Sequence, residues 1–192
     1  MSELYSNIFR HISAYVPLQE EDEQLIAGYL TTRKIRKRHF LVSEGEHCRS
    51  ENFVVKGCFR AYYVDDKGKE YLLRFAMEDY WITDLNSFTN NVPSRQFIEA
   101  LEDSEVICIT RQALDALLMD LPKLHKYFML IYRNAIINNY DRIQQNFSLP
   151  ALERYRNFQK RYPQLEQRVP RYMIASYLGI TPEFLSKVSA HK

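Results

Sequence analysis

Between residues 33 and 110 the chain reads as short apolar runs cut by turn signals, at spacings of about 8 to 12 residues. No other feature restricts the fold as much. The runs are Phe40-Leu41-Val42, Phe53-Val54-Val55, Phe59 to Val64, Tyr71 to Phe75, Phe97 to Leu101 and Val106 to Ile109. Between them stand Glu44-Gly45-Glu46, Lys56-Gly57 and Asp65-Asp66-Lys67-Gly68. Each run suits one strand and is too short for a stable helix. The segment is therefore expected to form an antiparallel sandwich or barrel. The Asp-Lys-Gly turn between two aromatic-rich strands marks the clearest hairpin. The basic run Arg33-Lys34-Ile35-Arg36-Lys37-Arg38 reads as a solvated edge beside a strand.

On both sides of this block the period is helical. Leu4, Ile8 and Ile12, then Leu25, Tyr29 and Leu30, recur at helical spacing on either side of Pro17. Glu20-Glu21-Asp22 puts negative charge where the first turn of a second helix prefers it. After Thr110, Leu114, Leu117, Leu118 and Leu121 form a helix that ends before Pro122. The next helix is expected to run to about Phe147, roughly 25 residues and nearly 40 Å. It carries two apolar stripes: Leu124, Phe128, Ile131 and Ala135, and Ile136, Tyr140, Ile143 and Phe147. Two stripes need two partners, one within the chain and one in a second copy. Asn138 and Asn139 suit a seam that sets register. Residues 149–192 read as helical in three pieces, with a basic bias and a boundary near Leu149-Pro150.

Those last residues contain the sequence's most specific motif, Pro170 to Val188. A DNA-binding helix-turn-helix needs a small residue where its helices touch, a glycine in the turn and a branched anchor in the second helix. Ala175, Gly179 and Leu185 stand at those positions, with Ile174, Leu178, Ile180 and Val188 filling the apolar sites. Thr181 is placed to cap the second helix, Pro182 fits its first turn, and Glu183 favours its positive end. That helix would enter the major groove and offer Glu183, Phe184, Ser186 and Lys187 to base edges. Lys187 can donate to guanine and Glu183 can accept from cytosine. Arg171 and Lys192 are cast as phosphate contacts.

Composition sets limits. The 192 residues carry a net charge of +2, with 46% hydrophobic and 26% charged residues, the balance of a globular protein. No apolar stretch approaches the length of a membrane span and no secretory signal opens the sequence, so a cytoplasmic protein is expected. Cys48, Cys58 and Cys108 have neither zinc-site nor disulfide spacing and read as free thiols. An enzyme of the cupin type would need paired histidines near a glutamate. His11, His39, His47, His125 and His191 are not spaced that way, and Glu44, Glu46 and His47 read as surface loop groups. No nucleophile elbow or phosphate-cradling glycine loop is present, so no enzyme activity is expected.

The order of parts and the phrase Ile174-Ala-Ser-Tyr-Leu-Gly-Ile-Thr-Pro-Glu183 resemble the cyclic-AMP receptor/fumarate-nitrate regulator superfamily. So do Phe40-Leu-Val-Ser-Glu-Gly-Glu46, Val55-Lys-Gly57, Asp66-Lys-Gly68 and Ile98-Glu-Ala-Leu-Glu102. The likeness covers nearly the whole chain and is nearest to the short variety common in Bacteroidetes-type bacteria. It implies an α+β protein: an N-terminal antiparallel jelly roll of the cyclic-nucleotide-binding kind with flanking helices (1–121), a long dimerisation helix and hinge (122–148), and a small helix-turn-helix domain without a wing (149–192). It further implies a homodimer on double-stranded DNA, with RNA polymerase as a further partner and no membrane.

Two departures qualify the resemblance. Nucleotide-binding relatives carry Gly-Glu and, about ten residues on, Arg-Ser or Arg-Thr. Here Thr83-Asp84 stands for the first pair and Ser94-Arg95 for the second, before Gln96. The shorter acid and the displaced arginine leave a small-molecule effector open, with a cyclic nucleotide the less favoured one, and no particular cofactor is assigned. By offset from Pro122, the helix positions that contact the base fall on Asn139 and Tyr140. The second departure is the C-terminus, where DNA-binding relatives commonly continue into a hairpin wing or further basic residues. Pro182 also occupies the usual first base-reading position. The competing reading is a small-molecule-binding module whose DNA binding is weak or lost.

Overall fold

The computed structural model describes residues 5–189, which fall into two compact units. Met1–Tyr62 with Phe75–Tyr132 forms the first, and Tyr63–Arg74 with Arg133–Lys192 the second.

The first unit opens with two helices, α1 (Ser6–Ser13) and α2 (Glu20–Tyr29). Helix α1 buries Ile8, Phe9 and Ile12 on one face. Helix α2 starts in a capping box, where the Gln19 amide donates to the Asp22 carboxylate at 2.6 Å. Its acidic first turn agrees with the expectation from Glu20-Glu21-Asp22.

The strand-bearing part is a jelly roll of two four-stranded antiparallel sheets. β1 (Thr31–Ile35), β8 (Ser104–Thr110), β3 (Ser50–Lys56) and β6 (Trp81–Ile82) make one; β2 (Phe40–Val42), β7 (Phe97–Ala100), β4 (Phe59–Val64) and β5 (Glu70–Ala76) make the other. Phe53, Val54, Phe59, Ala61, Ile98, Ala100, Val106 and Ile107 are fully shielded and belong to one buried core built on the two sheets. The alternation is clearest across β4 and β7. Phe59 and Ala61 face the core opposite Ala100 and Ile98, while Arg60 pairs across the strands with Glu99. Arg60 Nη2 lies 2.7 Å from the Glu99 carboxylate, and the guanidinium sits 4.0 Å above the Tyr62 ring. The basic run beside β1 behaves as a solvated edge: Thr31 to Lys34 are exposed and only Ile35 turns inward.

Three elements were not anticipated. β1 is polar apart from Ile35, β6 has two residues, and α3 (Leu85–Asn90) is a short helix after Asp84. All three lack the apolar period that marks an element in sequence.

Thr110 caps α4 (Arg111–Asp120) by accepting from the Ala113 amide at 3.2 Å. The long helix α5 (Leu124–Ser148) has 25 residues and runs from the first unit into the second. Its N-terminal part buries Leu124, Tyr127 and Phe128. Farther along, Ile136, Ile137, Tyr140, Ile143 and Phe147 are all exposed, Phe147 by 89%. The first stripe thus has its partner within the chain, and the second has none among the described residues.

The second unit continues with α6 (Ala151–Arg161), the single turn α7 (Leu165–Arg168), α8 (Arg171–Leu178) and α9 (Pro182–Ser189). Four helices therefore replace the three expected pieces: the chain leaves α6 at Tyr162, before Pro163, and α7 is too short to read from periodicity. Tyr155, Phe158, Leu165, Ile174, Ala175, Leu178 and Leu185 are buried among these helices. The hairpin tip between β4 and β5 belongs to the same unit.

Candidate functional site

The helix-turn-helix is built around one backbone conformation. Gly179 ends α8 in the left-handed region at φ 65°. There its amide donates to the Ser176 carbonyl at 3.2 Å and the Ile180 amide reaches the Ala175 carbonyl at 3.0 Å. This C-terminal cap closes the helix and redirects the chain. Thr181 then starts α9, its hydroxyl accepting from the Phe184 amide at 3.2 Å. The Glu183 carboxyl is held below the usual carboxylate range, first by its own backbone amide and then by the Thr181 hydroxyl. A negative charge at a helix start is stabilised in this way.

The two helices meet through small and branched groups: Ala175 and Ile174 are 0% exposed and Leu185 1%. That fixes the outward face of α9. Glu183, Phe184, Ser186 and Lys187 are exposed, with Phe184 at 46%. Thr181 at its start and Arg171 at the start of α8 are exposed too. The four expected base-reading residues thus lie together on one accessible face. The Ser186 hydroxyl also donates to the Pro182 carbonyl at 3.0 Å. Lys192, and the side chain of Val188, lie outside the described residues.

A contact that sequence reasoning missed holds the motif from behind. The Leu72 amide donates to the Ser176 hydroxyl at 3.1 Å, and Arg142 donates to the Leu73 carbonyl. The β5 backbone at the hairpin tip is thereby tied to the first helix of the motif and to α5. Ser176 carries no sequence mark of this role, because a serine in mid-helix more often faces water.

In the jelly roll, Thr83, Asp84 and Ser94 come together. The Asp84 carboxylate accepts from the Asn86 and Ser87 amides at 3.1 and 3.2 Å and from the Ser94 hydroxyl at 2.7 Å. It is buried, 6% exposed, and acts as the N-cap of α3. The Ser94 hydroxyl also lies 2.9 Å from the Gln96 carbonyl, and Thr83 lies 3.2 Å from the Cys48 sulfur. Arg95 is exposed and Gln96 half-buried. The acid and serine are thus joined to each other, while the arginine is exposed to solvent. Asn139 and Tyr140 are exposed on the second-unit part of α5.

A third site is a hydrogen-bonded relay in the first unit. The Trp81 indole donates to the Tyr127 hydroxyl at 2.7 Å, which lies 2.8 Å from His11 Nδ1. Burial lowers the His11 pKa below 6.5, with Asp79 opposing and Arg10 assisting. Neutral His11 can then accept a hydrogen bond from the tyrosine hydroxyl at Nδ1. Burial also raises the Cys108 thiol to about 11, so it stays a protonated core group.

Among the described residues no helix is long and apolar enough to cross a membrane. The family model for the cyclic nucleotide-binding domain matches residues 32–120, the jelly roll with α4. The anaerobic regulatory protein of Pasteurella multocida is 26% identical over 89% of this chain; the matched region spans 66% of that protein's length. The structure of FixK2 from Bradyrhizobium japonicum superposes with a TM-score of 0.74 at 19% identity, over 84% of this chain and 83% of that one. The catabolite activator protein of Thermus thermophilus gives a TM-score of 0.58 at 19% identity, over 94% and 85%. Residues 32–120 thus match the cyclic nucleotide-binding domain, and the chain is similar in sequence to an anaerobic regulatory protein and in fold to FixK2 and a catabolite activator protein.

Proposed function

We propose that the protein is a transcription regulator that binds a palindromic DNA site as a homodimer. The observation that carries this reading is the exposed face of α9, where Glu183, Phe184, Ser186 and Lys187 project from a motif anchored by Ala175, Gly179 and Leu185. Lys187 and Glu183 read base edges, and Arg171 meets a phosphate. The unpartnered stripe Ile136, Tyr140, Ile143 and Phe147 forms the dimer seam, and two recognition helices related by its twofold axis face half-sites about one helical turn apart. Domain limits of 1–121, 122–148 and 149–192 describe these tasks as sensor, dimer helix and reader. RNA polymerase is a further partner, and the cytoplasm is where such a protein works.

The jelly roll is the sensor, with Thr83, Asp84, Ser94, Arg95 and Gln96 as its candidate ligand residues; Asn139 and Tyr140 on α5 are further candidates, in the other unit. Its effector is a small molecule other than a cyclic nucleotide. Asp84 is committed to the α3 cap and to Ser94, so a ribose hydroxyl would have to displace one of these bonds.

Selection of bound duplexes from a random pool, with and without cyclic AMP, tests both statements. A palindrome enriched by the natural protein and lost with Lys187→Ala is the expected result, independent of the nucleotide. Enrichment only with cyclic AMP would overturn the effector reading. If no sequence is enriched even at low salt, where phosphate contacts are strongest, the regulator reading fails and a sensor module without DNA binding replaces it.

A further inference from the structure

The second unit contains a cleft that none of these roles uses. Arg142 and Gln145 from α5, Arg154, Asn157 and Arg161 from α6, and Tyr177 from α8 stand around it. Its enclosed space is small, about 40 Å³, enough for a small anionic group and well below the volume of a pocket that swallows a whole drug-sized ligand. Its lining holds three guanidinium groups and no carboxylate.

The arginines are held in place yet keep donors in reserve. Arg154 Nη1 donates to the Asn146 carbonyl at 3.1 Å, and Arg142 Nη1 to the Leu73 carbonyl. The Arg142 guanidinium lies 4.9 Å from the Tyr177 ring centroid, and that of Arg161 lies 5.5 Å from Tyr162. The Nε atoms of Arg142 and Arg154 are shielded from solvent and have no acceptor. A buried charged donor without an acceptor is costly, and three permanent positive charges in one cleft repel each other. Glu166, whose carboxylate accepts from Tyr155 and, at 2.9 Å, from Gln159, is not among the residues that line the cleft. An oxyanion with several acceptor atoms would answer both the charge and the idle Nε donors.

We propose that this cleft binds the phosphate group of a small molecule, with Arg142, Arg154 and Arg161 gripping the phosphate and the rest of the molecule left outside. The site is separate from Thr83, Asp84, Ser94 and Arg95, which lie in the other unit. It is also separate from the recognition face, since none of Glu183, Phe184, Ser186 and Lys187 lines it. A bound phosphate would link α5, α6 and α8, fixing the first helix of the motif to the end of the dimer helix. This regulatory consequence rests on the DNA-binding reading; the binding site itself does not.

Calorimetric titration of the full chain with pyrophosphate and with adenosine monophosphate, at constant ionic strength and without DNA, tests the site. Adenosine and sulfate serve as controls. One site per chain is expected for at least one phosphate ligand, weakened tenfold or more by Arg142→Gln or Arg154→Gln and unchanged by Arg95→Gln. If either cleft variant fails to fold, Arg161→Gln replaces it with the same expected direction. The proposal is overturned if neither ligand binds at millimolar concentration. It is likewise overturned if sulfate binds equally well (an adventitious ion only), or if Arg95→Gln abolishes binding that the cleft variants retain. A further titration with a short duplex separates the two sources of phosphate. If the cleft variants lose affinity for the duplex in the absence of small ligand, and pyrophosphate displaces it, the occupant is the DNA backbone and the small-molecule site falls.

Discussion

Gly57 and Gly179 both hold positive φ, at 106° and 65°, but for reasons that a substitution can separate. A Cβ on Gly179 would meet nothing within 4 Å. Gly179→Ala should therefore cost only the left-handed conformation, roughly 1–2 kcal/mol. A Cβ on Gly57 would stand 2.1 Å from the Ser104 hydroxyl and 2.8 Å from its Cα. Backbone as well as side chain must then move, and Gly57→Ala should cost about 3 kcal/mol or more. Urea unfolding of the two variants checks the order, and equal losses would refute it. At the same scale, His11 makes the first unit sensitive to mild acid. Its folded pKa is lowered from 6.5 chiefly by burial. The unfolded chain therefore binds the extra proton first, and stability falls as pH drops below about 6.5. Trp81 is the only tryptophan and bonds to the same Tyr127 hydroxyl. Its fluorescence should change with a midpoint below 6.5, and His11→Gln should remove the change. A midpoint at or above 6.5 would contradict the burial assignment.

At the scale of elements, α5 sets the sharpest expectation. Its N-terminal part is seated by Leu124, Tyr127 and Phe128, while Ile143 is 48% exposed in the isolated chain. Ile143→Glu should leave the stability of the single chain within about 0.5 kcal/mol. In a dimer seam the same unpaired carboxylate would cost about 3 kcal/mol, roughly a hundredfold in dissociation constant. Sedimentation analysis over a range of concentrations reads that difference; an unchanged constant would place the seam elsewhere. The contrast along α5 was legible because two apolar stripes on one helix demand two partners. The jelly roll was legible for a related reason, since Phe59, Ala61, Ile98 and Ala100 alternate with polar neighbours. β1 escaped notice because an edge strand that exposes Thr31 to Lys34 has no alternation to display. The outward face of α9 followed from the positions of Ala175, Gly179 and Leu185. The arginine cleft did not, because its residues come from three helices and bear no common spacing. Asp84 showed the limit of substituting one acid for another by position. Read as a ligand group, it is spent on the cap of a helix too short to be anticipated.

At the scale of the whole molecule, the two compact units do not follow the chain in order. The second takes in Tyr63–Arg74 as well as everything from Arg133 onward. A fragment comprising residues 133–192 would therefore lack the Leu72 amide that bonds Ser176 and the Leu73 carbonyl that receives Arg142. Hydrogen exchange should show α8 amides less protected in that fragment than in the full chain. Equal protection would mean that the hairpin tip adds nothing to the motif.

The hairpin tip also bears on how such a protein can be rearranged. A reader joined to its sensor at one point in sequence could be transplanted by one cut and one splice, like a cassette. Here a splice after Tyr132 carries the helices across but leaves behind the strand segment that braces them. A chimera that keeps this jelly roll must match its own Leu72-Leu73 backbone to a foreign helix at the position of Ser176. The bond from Leu72 to Ser176 is thus a compatibility test between two distant stretches of chain, one that every recombinant reader must pass.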